Sequence, residues 1–526
     1  VTRFREELGH GKGDVKEALE RTMATAGRTV AFSGLTVSTS LLGLMLFPEM
    51  FLRSMSMGAI AATLVAMLAA LTILPALLAV LGHRINALSI QRLFRRTSSS
   101  QRQVSSNETQ GAWYRIAEMV MRRPVVVGLA VLAILVTLGL PFWRVAFSTP
   151  DVKVLASNQE ARIVSDRLSR DFAQQGNSQL VVVIRTPGDV LSPANLASLD
   201  TYVDAIKVIP GVVSVESLVT VNPQLSLADY QQLYAHPGAN PQLAAMEAQL
   251  ANGDTTKITV AMQPVDHSPA AVDIVHQVRA IQATGGLTPL VDGTTAYQLD
   301  LLASLSATLP YALLVMFVAV SVLLFLMTGS LLMPVKAIVL NILSLSATFG
   351  ALVWIFQDGH LQNLLGFQST GSIDATQPIL IFAIAFGLSM DYEVFLLSRI
   401  KERYDETGDN RAAVSSGLQR TGWLITSAAM LMAVVFGAFG TSKIIFIQEI
   451  GIGLAIAVII DATLVRMLLV PATMRLLGKW NWWAPAPLRA VWRRVGLGES
   501  VGYSRNMVGN SDAVALEEIE REKAQV

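Results

Sequence analysis

Eight apolar runs dominate this chain, at residues 28–47, 54–82, 124–143, 308–328, 333–356, 378–398, 421–441 and 449–477. A helix needs about 20 residues to cross a hydrocarbon core of roughly 30 Å. Each run is therefore read as a spanning helix, and the one at 54–82 is long enough to tilt or to project beyond the hydrocarbon. Composition agrees: of 526 residues, 52% are hydrophobic and 15% charged, outside the usual range of soluble globular chains. The net charge of +1 gives no global electrostatic argument for nucleic acid. With no cysteine, disulfides, thiolate catalysis and Cys-based zinc sites are excluded. The six histidines are scattered without ligand spacing, so no metal site is read.

Basic residues in the connections set the orientation. Arg84, Arg92, Arg95, Arg96, Arg102, Arg115, Arg122 and Arg123 make 83–123 a cytoplasmic linker. Arg399, Lys401, Arg403, Arg411 and Arg420, and then Lys479, Arg489, Arg493 and Arg494, fall on the same side if every run crosses. The expected order is a cytoplasmic segment (1–27), two spans (28–82), the linker (83–123), one span (124–143), an extracytoplasmic domain (144–307), five spans (308–477) and a cytoplasmic tail (478–526). The tail reads as solvated, with Trp480, Trp482 and Trp483 as an interfacial anchor at its start. Val1 opens a polar stretch without a leader pattern, which suggests a fragment or a split gene product.

The domain has its own rhythm. Strand patterns at 179–185, 211–219, 256–265 and 288–293 alternate with helix patterns at 193–209 and 270–283, with an insert after the second strand. The order βαββαβ is the split-βαβ, ferredoxin-like arrangement. It holds no Ser/His/Asp grouping and no phosphate-binding glycine loop, so no catalytic residue is read and the chain is not expected to be an enzyme.

Asp391 lies in IFAIAFGLSMDYEVFLLSRIKER (381–403), at membrane depth. A carboxylate there costs roughly 2.5–3.5 kcal/mol on insertion scales and is a functional hypothesis by default. It is the candidate proton carrier, since protonation neutralises it and changes which neighbours it holds. The alternative is a structural Asp held by Arg, Ser or Asn from another helix. Tyr392 points about 100° away around the helix. Glu393 points nearly opposite Asp391, towards a cavity or the cytoplasmic side. Asp461 and Arg466 share the last span at i, i+5, about 140° apart on an α-helix, so a direct intrahelical ion pair is not favoured. Each is expected to face a different neighbour, Arg466 as a counter-charge or by snorkelling to the interface. Asn341, Ser344, Ser346 and Thr348 stripe one span, either as a wet path near Asp391 or as polar glue between helices. Ala383 with Gly387, and Gly451 with Ala455, have the spacing of close helix packing.

The ends of the chain repeat. TRFREE (2–7) parallels SRIKER (398–403), Ala18 to Gly27 parallels Ala413 to Gly422, and LTILPALLAVLG (71–82) parallels MLLVPATMRLLG (467–478). The offset is 395 to 396 residues throughout. A twin of Asp391 is therefore expected a few residues upstream of Val1, within the first half of a pseudo-twofold transporter.

GLSMDYEVFLLSRIKERYDETGD and VIIDATLVRMLLVPATM resemble the mycobacterial membrane protein large (MmpL) family of the resistance–nodulation–division superfamily. The likeness runs to about Lys479. It implies a twelve-helix bundle with two porter-type outer domains in the bacterial inner membrane. It also implies proton-coupled export of envelope lipids or other hydrophobic compounds, with protons as the coupling ion and no cofactor. The family relay has two Asp–Tyr pairs, each Asp meeting the Tyr of the other half. Here it maps onto Asp391 and Tyr392, and it supports Asp461 and Arg466 as functional. The expected partners are an N-terminal half with the other pair, an envelope lipid substrate and membrane lipids. A non-transporting scaffold or lipid-binding remnant is the alternative.

Overall fold

The computed structural model describes residues 2–10, 14–86, 111–149, 152–155, 158–171, 178–235 and 247–495. The centre of the basic linker, His236 and most of the tail lie outside them. Eight helices long and apolar enough to cross a membrane occur among the described residues, one for each apolar run. The first three are α1 (Val15–Leu46), α2 (Met50–Ile85) and α3 (Pro124–Arg144). α1 begins well before its apolar run. The Asp14 side chain accepts from the Lys16 N–H at 2.9 Å and caps the polar turn VKEALERT, which runs through a π-helical turn at Met23–Gly27 into the span. α3 opens on Pro124, at a first-turn position whose N–H needs no partner.

Residues 148–307 form a separate compact unit. Along the chain it contains β1 (Ser178–Arg185), α4 (Pro193–Lys207), β2 (Val212–Glu216), β3 (Thr255–Met262), α5 (Pro269–Ala280) and β4 (Thr288–Asp292). The spatial order is β2-β3-β1-β4, all antiparallel, with Ala251–Asn252 added beside β3. This is the ferredoxin-like order that βαββαβ implies. The pleat decides which residues meet: Leu180, Val182 and Ile184 of β1 and Ile258, Val260 and Met262 of β3 are all fully buried. They pack with Leu196, Leu199, Val203 and Ile206 of α4 and Ile274, Val275 and Val278 of α5. The two helices start alike, with Ser192 and Ser268 as caps and proline at the first helical position.

The chain continues as α6 (Thr294–Thr328), α7 (Leu332–Gln357), α8 (Gln377–Thr407), α9 (Asn410–Phe439) and α10 (Ile445–Trp482). In the helical unit, α7, α8 and α10 are the inner helices, with 61% of each apolar window buried, against 6% for α2 and 11% for α3. The intramembrane charges lie on these three inner helices. Gly387 of α8 marks a close approach to α1, since a Cβ there would stand 2.3 Å from the Ser40 Oγ. Gly451 of α10 packs in the same way against the Phe436 carbonyl and Phe439 of α9. At the end of α10, Trp480 and Trp483 are exposed, while Trp482 turns inward. It stacks on Tyr404 at 4.8 Å and lies under the Lys401 ammonium.

The internal repeat is visible in the backbone. α2 and the last helical segment of α10 each carry a proline, Pro75 and Pro471. Each segment ends on a left-handed glycine, Gly82 at φ 44°, ψ −124° and Gly478 at φ 51°, ψ −123°. Their N–H groups donate to Leu78 and Met474, four residues back in each case.

Two predictions follow from packing. A Cβ on Gly350 of α7 would lie 2.0 Å from the Leu138 carbonyl of α3, whereas one on Gly128 of α3 meets nothing within 4 Å. Gly350→Ala is expected to cost about 1–3 kcal/mol by overpacking, and Gly128→Ala to be neutral or slightly stabilising. Thermal unfolding in detergent, compared between the two variants, measures the difference. In the α/β unit, burial pushes the Tyr202 and Tyr234 hydroxyls from 10.0 up to about 12. Because the folded form favours the neutral phenols, their contribution is complete below pH 10 and is lost as pH rises towards 12. Ultraviolet titration of the folded protein is expected to include these two late tyrosinates, each of them lost in the Tyr202→Phe or Tyr234→Phe variant.

Candidate functional site

α8 presents three consecutive polar side chains, and a helix that turns about 100° per residue sends them to three neighbours. Asp391 faces α1, where the Ser33 side chain approaches its carboxylate. The Tyr392 ring lies beneath the Arg466 guanidinium of α10, 5.3 Å from ring centroid to Cζ. Glu393, 4% exposed, faces α7, where Lys336 is within electrostatic reach. The close approach at Gly387 and Ser40 brings α1 near enough for the Ser33–Asp391 contact one turn along α8.

Arg466 is the hub. It is 2% exposed, so it does not snorkel. Its Nε donates to Asp461 Oδ2 at 2.8 Å, and its Nη2 donates to the Ser389 carbonyl and, at 3.2 Å, to the Ser389 hydroxyl. The expectation that Asp461 and Arg466 would face different neighbours is overturned by this intrahelical pair. The reason is local backbone. Asp461–Leu469 is a π-helical stretch, whose i→i+5 closure brings residues five apart onto one face. The α-helical 140° does not apply there. Asp461 and Arg466 are thus a buried pair spanning one π turn and tied to α8.

Two further residues complete the constellation. Lys336 is 8% exposed in the first turns of α7, and its ammonium and Glu393 Oε1 have no hydrogen-bond partner among the described residues. Ser389 links α8 to Arg466. Lys336 was legible in the sequence as a lysine inside an apolar run, LLMPVKAIVLN, a rarity that marks function or pairing. Ser389 and Ser33 carried no such signal, because hydroxyls are common in packed membrane helices. The stripe on α7 serves its own helix: Asn341 Nδ2 donates to the Ala337 carbonyl at 3.0 Å and Thr348 Oγ1 to the Ser344 carbonyl at 3.1 Å. Ser344 is buried beside them, and no contact joins this stripe to Asp391 among the interactions described.

The charges can be counted. Asp391, Glu393 and Asp461 oppose Lys336 and Arg466, so in formal charge three carboxylates stand against two cations, the last four groups buried and Asp391 half-buried. Asp461 is bonded to Arg466, and Glu393 faces Lys336. Asp391 is the carboxylate left with a hydroxyl instead of an ionic bond, although Arg466 acts on it at longer range. One proton neutralises the set. Among the described residues no three His, Asp or Glu side chains are grouped as a metal ion would require.

This arrangement sits in a chain with clear relatives. The MMPL family matches residues 1–127 and 153–499. A membrane protein of Streptomyces coelicolor is 40% identical over 500 residues, covering 95% of this chain and 62% of that protein. The trehalose monomycolate exporter MmpL3 of Mycobacterium tuberculosis is 33% identical over 519 residues, 95% of this chain and 52% of the exporter. The heme uptake protein MmpL11 of the same species is 33% identical over 490 residues, 92% and 47%. The chain therefore spans about half the length of these mycobacterial relatives. In fold it is similar to the hedgehog release protein Disp of the water bear Hypsibius dujardini, with a TM-score of 0.56 at 14% identity over 88% of this chain and 60% of that one. Over most of its length, the chain belongs to the MMPL family.

Proposed function

We propose that this chain is the C-terminal part of a proton-driven transporter that exports lipids or other hydrophobic envelope compounds across the bacterial inner membrane. Asp391 is its proton acceptor. The observation that carries the reading is the imbalance of formal charge: a five-group cluster, four members buried and Asp391 half-buried, has one carboxylate more than cations, and Asp391 is the carboxylate without a direct cation. On this reading the chain is no enzyme and needs no cofactor, and the basic connections support an outer-side position for residues 148–307.

Protonation removes the attraction between Asp391 and Arg466 and changes what Ser33 can accept or donate. Arg466 itself stays anchored by Asp461 and Ser389. The change therefore falls on the contact between α8 and α1, where Gly387 and Ser40 already touch. Tyr392, under the guanidinium, holds the side of α8 that must not move. Glu393 and Lys336 keep the opposite side neutral in sum. Asn341 and Ser344 are given an accessory role on α7, stiffening the helix against which the pair Lys336–Glu393 forms. In the longer relatives the remaining half of the protein is available to supply the second Asp–Tyr pair.

The direction and cargo rest on the relatives. Likeness to a trehalose monomycolate exporter supports outward lipid movement. Equal identity to a heme uptake protein supports inward movement of a different hydrophobic cargo, and the assay has to read both directions.

In a full-length protein carrying this chain, Asp391→Asn is expected to abolish proton-driven transport while expression and membrane insertion persist. Reconstituted vesicles with an imposed pH gradient measure it, and unchanged transport by the mutant would sink the proposal. A second prediction separates structure from coupling. Asp461→Asn leaves Arg466 buried and uncompensated, and is expected to cost about 3–5 kcal/mol. The double change Asp461→Leu with Arg466→Met is expected to recover most of that stability but no transport. Thermal unfolding in detergent and the vesicle assay, run on the same three proteins, report the two effects.

A further inference from the structure

A second buried acidic cluster lies at the far end of α8 from its basic C-terminal turns. Gln377, in the first turn of α8, is 1% exposed, and its side-chain amide donates to Glu449 of α10. Glu449 is 4% exposed and one turn inside its helix. The charged group facing it is Asp374, in the short strand Ile373–Asp374 just before α8. Asp374 is 8% exposed. Its Oδ1 accepts from the Thr376 N–H at 2.8 Å and from the Thr376 hydroxyl. Its Oδ2 and the Gln377 Oε1 are buried without a partner among the described residues.

The cluster is held rigidly. Ile373 N–H donates to the Ala146 carbonyl at 2.9 Å. Gln448 Nε2 donates to the carbonyls of Ser442, Leu365 and Gly440, fixing the start of α10. Cations on the segments around it are otherwise engaged or exposed: Arg144 pairs with Asp358 at 2.7 Å, Arg53 of α2, whose neighbour Phe51 packs on Phe446 of α10, donates to the Phe47 carbonyl at 2.6 Å, and Lys443 is exposed. Two carboxyls therefore lie within electrostatic reach of one another, one of them bonded by the Gln377 amide, and no cation is paired with either among the described residues. Burial raises the Asp374 carboxyl above the ordinary carboxylate range. Such a pair is satisfied when it holds a proton and strained when it does not, because unbalanced buried charge is costly.

We infer that Asp374, Gln377 and Glu449 form a protonatable loading station that takes up the proton before it reaches Asp391. The inference rests on the proton-coupled reading above. Of the station, Gln377 shares α8 with Asp391, 14 residues away, or about 21 Å along the helix axis, while Asp374 precedes α8 and Glu449 lies on α10. Near the Asp391 end, the α1 hydroxyls Ser40 and Ser33 line the α8 face, at Gly387 and Asp391 respectively. The proton arrives from water on the side of Asp374, binds a carboxylate oxygen of the pair, and leaves it ionised again when passed on. The gap in fixed hydroxyls between Gln377 and Gly387 is left for mobile water to bridge.

The test uses the full-length transporter in vesicles, with transport rate measured against external pH at fixed internal pH. Glu449→Gln and Asp374→Asn are expected to slow transport several-fold and to flatten its dependence on external pH, while Asp391→Asn abolishes it at every pH. A wild-type pH profile in both station variants, with Asp391→Asn inactive, overturns the station alone. Normal transport by Asp391→Asn overturns the proton-coupled reading itself. A profile that moves when external sodium is replaced by choline makes this a cation site and overturns the station. A variant-free measurement guards against misfolding: dicyclohexylcarbodiimide, which attacks protonated buried carboxyls, is expected to label Glu449 in the wild type at neutral pH and not at strongly alkaline pH. Absence of that label at neutral pH overturns the station as well.

Discussion

The Arg466 guanidinium lies inside the helix bundle and has to be satisfied there. It carries five donors and a charge that cannot be shed. The chain pairs its Nε by opening one stretch of α10 into a π-helix, so that Asp461 reaches it from five residues back, while its Nη1 has no hydrogen-bond partner among the described residues. Such stretches are rare and give up regular hydrogen-bond register. Arg466 then reaches sideways to the Ser389 carbonyl and hydroxyl of α8 and covers the Tyr392 ring. The rotation of α8 about its axis is fixed by these contacts. That rotation points Asp391 at α1 and Glu393 at Lys336.

The repeat shows what is special about this stretch. The counterpart of α10 in the first repeat, α2, shares the proline and the left-handed terminal glycine with almost the same dihedral angles. It lacks the charges: an offset of 395 to 396 residues sets Asp461 and Arg466 against apolar or small residues in the middle of α2. α2 has a single continuous α-helix there and is the least buried of the spanning helices. The two halves thus share a scaffold and differ where the ion pair sits. The π stretch belongs to the ion pair and not to the repeated scaffold, which is why spacing alone misjudged it.

Much of the fold was legible because long-range physics wrote it into local pattern. Hydrocarbon thickness sets the length of every apolar run, and each run became one helix. In the α/β unit, alternation of buried residues gave strands whose ends moved by at most three residues, and βαββαβ order left one compact sheet arrangement. Asp391, Tyr392, Asp461 and Arg466 stood out as polar groups in apolar surroundings, and the structure gathers them on α8 and α10. Three things escaped. The Asp461–Arg466 contact depends on a backbone register that no periodicity of the flanking residues announces. Glu449 and Gln377 looked like boundary residues because the apolar runs were begun at 449 and 378, whereas α10 starts at Ile445 and α8 at Gln377. Ser33 and Ser389 are defined by what they face, and facing is a property of the bundle.

On the proposed reading, the balance of formal charge explains why Asp391, and not another carboxylate, is the group free to change. Asp461 gives up a bonded guanidinium if it is neutralised, and Glu393 gives up its attraction to a fully buried lysine. Each loss exposes a cation to an apolar interior, where an unpaired charge is very costly. Neutralising Asp391 exposes none, because Ser33 can donate to the ionised form and accept from the protonated one. The same logic separates the two acidic clusters. Around Asp391 there are cations, so the cluster as a whole is one proton short of neutral. Around Glu449 no cation is paired with the two carboxyls among the described residues, so on the proposed reading it is the proton itself that makes burial tolerable. On the proposed reading, a helix that carries Asp391 and Gln377, held by Arg466 at Ser389 and close to α1 at Gly387, has the parts needed to turn proton occupancy into a change of helix packing.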